Sequence, residues 1–239
     1  MIFLSAILIA AMSSADAVLT LLNSPSSTGP RTYAAAKAKV ESDARRGHAL
    51  QQYVVGVTTG DRRLAAKYLE QSRPKIREMA EKRNNPLAWY LLSLENNDLE
   101  LLQRAAKGGN VQALNALGTI AISKAFAAEN LPTNSLEKIL KRGFSMFSQA
   151  AAQRDANAMV NLGACYLRGF GCRPDWAMAF DCFKAAAELG HPEGMDNMSA
   201  AYELGHGVKP DAEKSLYWKM RARSARGDEA AAKWLTERK

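Results

Sequence analysis

The chain has 239 residues, of which 47% are hydrophobic and 23% charged, a balance that excludes wholesale disorder and suits a folded domain. Its formal net charge is +8, but the Lys and Arg residues are spread along the sequence and interleaved with acids. That excludes a concentrated polybasic tract and reads as a solvated helical surface. Alanine, leucine, lysine and glutamate recur while runs of valine, isoleucine and threonine are scarce, so the bias is against strands and predicts an all-α chain.

Residues 1–12 (MIFLSAILIAAM) form an uncharged apolar run, followed by small residues and Ala15-Asp16-Ala17. An apolar core followed by an A-x-A site predicts a secretory signal peptide over residues 1–17, with export to the periplasm or the exterior. No Lys or Arg precedes the apolar core, and the run is shorter than the roughly 20 residues a bilayer span takes. The alternative is a cytoplasmic protein that keeps this segment as an apolar first helix. Residues 18–32, rich in Ser, Pro and Gly, read as a flexible lead-in.

From residue 33 to 239 the sequence reads as one domain built from internal repeats. A small residue, then an apolar one four positions later, then a second small residue recurs faintly as Gln51, Val55, Gly56, and more clearly as Ala88, Leu92, Ser93 and Ala113, Leu117, Gly118. These place degenerate repeats at 47–84, 85–109 and 110–154. Their uneven spacing implies a compressed hairpin between Leu87 and Lys107 and an exposed insertion at 129–135.

Two clear copies follow at 157–190 and 193–227. Ala158, Leu162, Gly163, Tyr166, Gly169, Gly171, Pro174 and Asp175 recur 36 residues later as Gly194, Met198, Ser199, Tyr202, Gly205, Gly207, Pro210 and Asp211. Ala158, Leu162 and Tyr166 fall on one face of a first helix, with Gly163 beside it for close approach of a partner helix. Gly169 and Gly171 suit a chain reversal. Asp175 and Asp211 suit the start of a second helix. Ala179, Phe183 and Ala186 share a face of that second helix, and Phe147 lies one 36-residue repeat before Phe183. Residues 228–239 read as a capping helix.

The pattern Leu162-Gly163-x-x-Tyr166-x-x-Gly169-x-Gly171, then Pro-Asp, then Ala and an aromatic, then Ala-Ala and Gly, resembles the Sel-1-like repeat, a relative of the tetratricopeptide repeat. The match is good over the two clear copies, about a third of the chain. It departs at Ser199 for Gly, at Gly194 for Ala, and at Cys182 where Trp218 holds the aromatic. The resemblance implies an α/α solenoid of about five helix-turn-helix repeats with a C-terminal cap. It also implies a protein–protein interaction scaffold or adaptor that binds a protein or peptide on its concave face. By the same resemblance the outward first-helix positions are Gln112, Asn115 and Thr119, then Asn157, Val160, Ala164 and Arg168, then Glu193, Asp196 and Glu203. This surface runs from neutral amides to acids and would suit a peptide with a basic end.

Enzyme chemistry is not expected. His48, His191 and His206 each fall at a repeat turn, and the slot of His206 is held by Phe170 in the preceding copy, which argues against a nucleophile–base pair of His206 with Cys165 or Asp181. The Gly-x-Gly pairs follow no strand and precede no Gly-Lys-Ser/Thr, so they are no phosphate loop. Cys165, Cys172 and Cys182 are odd in number, lack C-x-x-C spacing and read as small core residues, so no metal and no cofactor are expected. Trp89, Trp176, Trp218 and Trp234 read as packing residues rather than base-stacking platforms. Two other functions remain as alternatives. One, implied by the secreted cysteine-rich members of the resembled group, is β-lactam binding or hydrolysis, although the cysteines here sit elsewhere. The other is charge-driven binding to nucleic acid or a membrane surface.

Overall fold

The computed structural model describes residues 30–128 and 131–238; the candidate signal peptide at 1–17, residues 18–29 of the lead-in and residues 129–130 of the insertion lie outside the described residues. Among the described residues there are twelve helices and no strand, and the fold is an all-α solenoid of helix hairpins. Two compact units divide the chain, Met1–Ala113 and Leu114–Lys239.

The first unit contains α1 (Pro30–Arg45), α2 (Ala49–Thr58), α3 (Arg62–Arg83), α4 (Pro86–Asn96) and α5 (Leu99–Lys107). Sequential helices pack on each other, α2 with α3 and α4 with α5 most extensively. Short side chains set the starts. The Asp61 carboxylate accepts from the amides of Arg63 and Leu64 at α3, and Asn85 accepts from Ala88 at α4. Each cap satisfies amides that have no partner inside the helix. The α4–α5 hairpin is short, with helices of 11 and 9 residues.

The division falls inside α6 (Val111–Ala127), which is followed by α7 (Thr133–Ala152), α8 (Ala156–Arg168), α9 (Trp176–Glu188), α10 (Pro192–Leu204), α11 (Ala212–Ala225) and α12 (Glu229–Glu237). Asp175 caps α9 through the Met178 amide and Asp211 caps α11 through the Lys214 amide, the role the sequence assigns them. Helices α6 and α7 are 17 and 20 residues long, against 13 each for α8 and α9. Much of the extra length between these copies is therefore helix, whereas the sequence places it in a loop at 129–135.

Gly163 shows why the repeat holds its register. A Cβ there would stand 2.5 Å from the Phe183 ring of α9, so only glycine lets that aromatic lie flat across α8. Gly118 stands in the same relation to Phe147 of α7. The close contact offsets the roughly 1 kcal/mol that glycine costs a helix relative to alanine. Ser199 fills this slot in α10, and Lys219 rather than an aromatic holds the Phe183 register in α11. With no ring to accommodate, the buried hydroxyls of Ser199 and Ser215 hydrogen-bond at 3.1 Å.

Gly207 has a different task. Its φ is +74°, and a Cβ would meet the Trp176 carbonyl oxygen at 2.1 Å. The loop after α10 thus presses on the start of α9, and Gly171 in the loop after α8 presses on α7 at Leu140, further along that helix. The Tyr166 and Tyr202 rings lock the same joints, packing edge-to-face on Phe144 and Phe180 with centroids 5.3 and 5.6 Å apart. Helix α12 starts as a first helix does, with Asp228 accepting from the Ala231 amide and Ala231 buried at the small-residue position.

Candidate functional site

In the second unit the first helices are α6, α8 and α10, and their inner faces are consumed by packing. Ala158, Leu162 and Met198 are buried, leaving the other sides of the same helices to solvent. Asn161 Nδ2 donates to Asn115 Oδ1 at 2.9 Å, which sets amides of α8 and α6 side by side. The Thr119 hydroxyl donates back to the Asn115 carbonyl at 3.0 Å and remains exposed. Asn157 Oδ1 lies 3.1 Å from His191 Nε2, joining α8 to the start of α10.

Val160 departs from the expected arrangement. It is 4% exposed, packed into the core by the rotation of α8, and is therefore unavailable to a partner. The neighbouring Asn161, absent from the expected outward positions, is half-buried and carries the bond to Asn115. Gln112 lies in the part of α6 that belongs to the first unit and is half-buried. Ala164 is half-buried, while Arg168, Glu193 and Glu203 are exposed. Asp196 forms an ion pair with Arg226, so the acidic end of the row reduces to Glu193 and Glu203.

Arg168 has company that the sequence did not signal. Its guanidinium lies 5.9 Å from the Phe170 ring centroid, and Phe170 meets Phe126 edge-to-face at 4.9 Å. Phe126 is 63% exposed, so this end of the row carries an accessible aromatic pair. Their chain positions give no repeat match to each other, which hid the pairing.

His191 is 2% exposed and caps α10. Its Nδ1 accepts from the Gly194 amide at 3.3 Å, which leaves Nε2 as the N–H that donates to Asn157. Burial, aided by the positive charge of Arg226, pushes its pKa down to about 4, so the ring is neutral at neutral pH. Asp155 holds the equivalent cap on α8, 36 residues earlier, and that register was the available clue.

The cysteines are all free. Cys165 is buried beside Phe147 and Leu162, and burial pushes its thiol up to about 12. Cys182 is pushed up to about 11 by burial and then by Asp181. These groups stay protonated, opposite to the shift that activates a nucleophile. His206 is turned elsewhere, its ring 4.4 Å from that of Trp176. Trp176 is 51% exposed, and its indole packs at the surface between repeats rather than in the core. Among the described residues no group of three or more His, Cys, Asp or Glu side chains is placed to hold a metal ion, and no helix is long and apolar enough to cross a membrane.

The Sel1 repeat family matches residues 99–110, 156–191 and 192–218. The chain carries Sel1 repeats in these segments. The second matched segment spans the hairpin α8–α9, the third α10 and the first half of α11, and the first the short helix α5. Among solved structures the Sel1 repeats are similar to a Sel1 repeat protein from Oxalobacter formigenes, at 28% identity over 53% of this chain and 90% of that one, with a TM-score of 0.47. They are also similar to c5321, a protective antigen present in uropathogenic Escherichia coli strains that displays an SLR fold. That likeness, a likeness of fold, has 20% identity over 84% of this chain and a TM-score of 0.53, and the chain spans 45% of the antigen's length. No curated protein matches the chain.

Proposed function

We propose that this protein is an interaction scaffold that holds a segment of a partner protein along the outward first-helix positions of its second unit. The observation that carries the reading is the amide row. Asn161 and Asn115 are bonded across consecutive first helices at 2.9 Å, yet each keeps unused donor or acceptor capacity toward solvent. Peptide backbones offer matching groups. Thr119, Asn157, Ala164 and Arg168 flank that row, with Glu193, Asp196 and Glu203 continuing it on α10. Stacked hairpins favour such a use, because packing fixes the helices and leaves one face of each free for recognition.

Charge sets the direction of the partner. Glu193 and Glu203 favour a basic residue at the α10 end, while Arg168 with Phe170 favours an apolar or acidic group on α8. Replacing Glu193, Asp196 and Glu203 together with Lys is expected to weaken partner capture at least about tenfold, chiefly through this charge mismatch. Pull-down with the wild type and the triple variant side by side checks this, and equal recovery rejects the placement. The apolar run at 1–12 followed by Ala15-Asp16-Ala17 supports an exported protein. N-terminal sequencing of the native protein is expected to begin after Ala17, and an intact Met1 rejects export.

A further inference from the structure

The last hairpin carries a second surface, on a second helix rather than a first. Four of the positions at which α11 differs from α9, 36 residues earlier, lie on one flank: Met178 becomes Lys214, Asp181 becomes Tyr217, Cys182 becomes Trp218 and Ala185 becomes Arg221. Trp218 holds the aromatic of the repeat and packs on the core, while Lys214 and Tyr217 are exposed and Arg221 half-buried, so the ring anchors charge and aromatic area that reach the surface. Together these four residues convert one flank of α11 into rings and cations.

Arg221 stands at the centre. Its guanidinium lies 5.1 Å from the Trp218 ring centroid and 5.9 Å from that of Tyr217. Lys214 Nζ lies 5.5 Å from the Tyr202 ring on α10. Three neighbouring cations are matched: Lys214 with Asp211, Arg223 with Asp228 and Arg226 with Asp196. Arg221 has no carboxylate partner among the described residues. Helix α11 carries Lys214, Lys219, Arg221 and Arg223 against Glu213 alone. Tyr217 is 43% exposed and Leu216 is also open, so apolar area adjoins the unmatched charge.

A guanidinium resting on ring faces is held in one orientation while its N–H edge stays free, the geometry that grips a carboxylate through two parallel hydrogen bonds. We propose that the Arg221–Tyr217–Trp218 flank of α11 docks an acidic segment of a protein partner. An Asp or Glu of that segment meets Arg221, and a neighbouring apolar side chain lies on Tyr217 and Leu216. The rings argue against single-stranded nucleic acid, because Tyr217 and Trp218 are inclined at 76° to each other and form no parallel platform for successive bases. The surface is separate from the first-helix row, so either can fail without the other.

Fluorescence polarisation of the full chain tests this with three labelled probes: the peptide GDELEFD, its amide counterpart GNQLQFN and an oligodeoxythymidine. The acidic peptide is expected to bind, the amide peptide at least about tenfold more weakly, and the oligonucleotide more weakly than the acidic peptide. Arg221→Lys keeps the charge but loses the fork, and is expected to weaken the acidic peptide about fivefold or more. Lys141→Ala, on the distant helix α7, leaves binding unchanged. Circular dichroism of each variant confirms that the helices persist. Equal binding of the amide peptide, tighter binding of the oligonucleotide, undiminished affinity in Arg221→Lys, or no binding of the acidic peptide at millimolar concentration each overturns the proposal.

Discussion

The two units stack helices by different means. In the second, glycine and aromatic residues do the joining: Gly118 under Phe147, Gly163 under Phe183, and the Gly207 loop against Trp176. In the first, Gly56 meets Leu69 of α3, an aliphatic side chain in the aromatic's place. What replaces the lost ring contacts is polar. The Tyr53 hydroxyl, fully buried on α2, donates to the Glu95 carboxylate of α4, and Arg73 of α3 donates to the same carboxylate. Burial pushes the Glu95 carboxyl up, but the bonds from Arg73 and Tyr53 outweigh it and hold its pKa below the ordinary value. Burial, reinforced by Glu95, keeps the Tyr53 phenol protonated far above its usual range. Shape complementarity can be repeated every 36 residues, whereas a three-helix polar network is specific to one place.

The contrast can be broken most severely at Phe183. Phe183→Ala removes the ring that Gly163 accommodates and is expected to cost about 4 kcal/mol, read as a lower urea midpoint with faster amide exchange in α8 and α9. A loss under about 1 kcal/mol would show that the glycine–aromatic joint is not what holds this unit.

A somewhat smaller effect comes through pH. His191 has its pKa lowered from 6.5 to about 4 in the folded state, so below pH 6.5 the unfolded chain binds the extra proton. Its contribution is therefore complete above pH 6.5 and falls away as pH drops toward 4, by up to about 3 kcal/mol. Comparing urea midpoints across that range, His191→Asn should lose less stability than the wild type; parallel profiles would contradict the buried neutral cap.

In the first unit, Glu95→Ala strands the Tyr53 hydroxyl and Arg73, and a loss of about 2 kcal/mol is expected. The exchange increase should lie in α2 to α4. A neutral outcome would mean that apolar packing, as in the second unit, carries this one too. The smallest change sharpens the comparison by improving it. Arg154 sits at φ +64°, where Gly47, Gly109, Gly190 and Gly227 hold the equivalent turns. Arg154→Gly should relieve that strain and raise stability by about 1 kcal/mol, measured by the same denaturation.

The same contrast explains what could be read from sequence. Gly163, Phe183, Asp175 and their partners each have a job that recurs, so the repeat displays them twice. The outward position expected for Val160 is buried, because a rotation of one residue about α8 decides whether Val160 or Asn161 faces outward, and the periodic pattern alone cannot fix that angle. His191 falls at a repeat turn, and its capping role shows in the sequence only through its register with Asp155. The Tyr53–Glu95–Arg73 network had no legible signal, since its members come from three helices with no shared spacing. The Arg221 flank has no contiguous signal, since its aromatics and cations are spaced along α11 and converge only once the helix is formed.

The central claim is that recognition belongs to the first-helix faces of the second unit. A photo-reactive phenylalanine placed in turn at Thr119, Ala164 and Glu203, and for comparison at Lys138 and Lys184 on α7 and α9, tests it directly. Covalent capture of a common partner from the first three positions and not from the last two is the predicted result. Capture at Lys138 and Lys184 with none at the first-helix positions would contradict it.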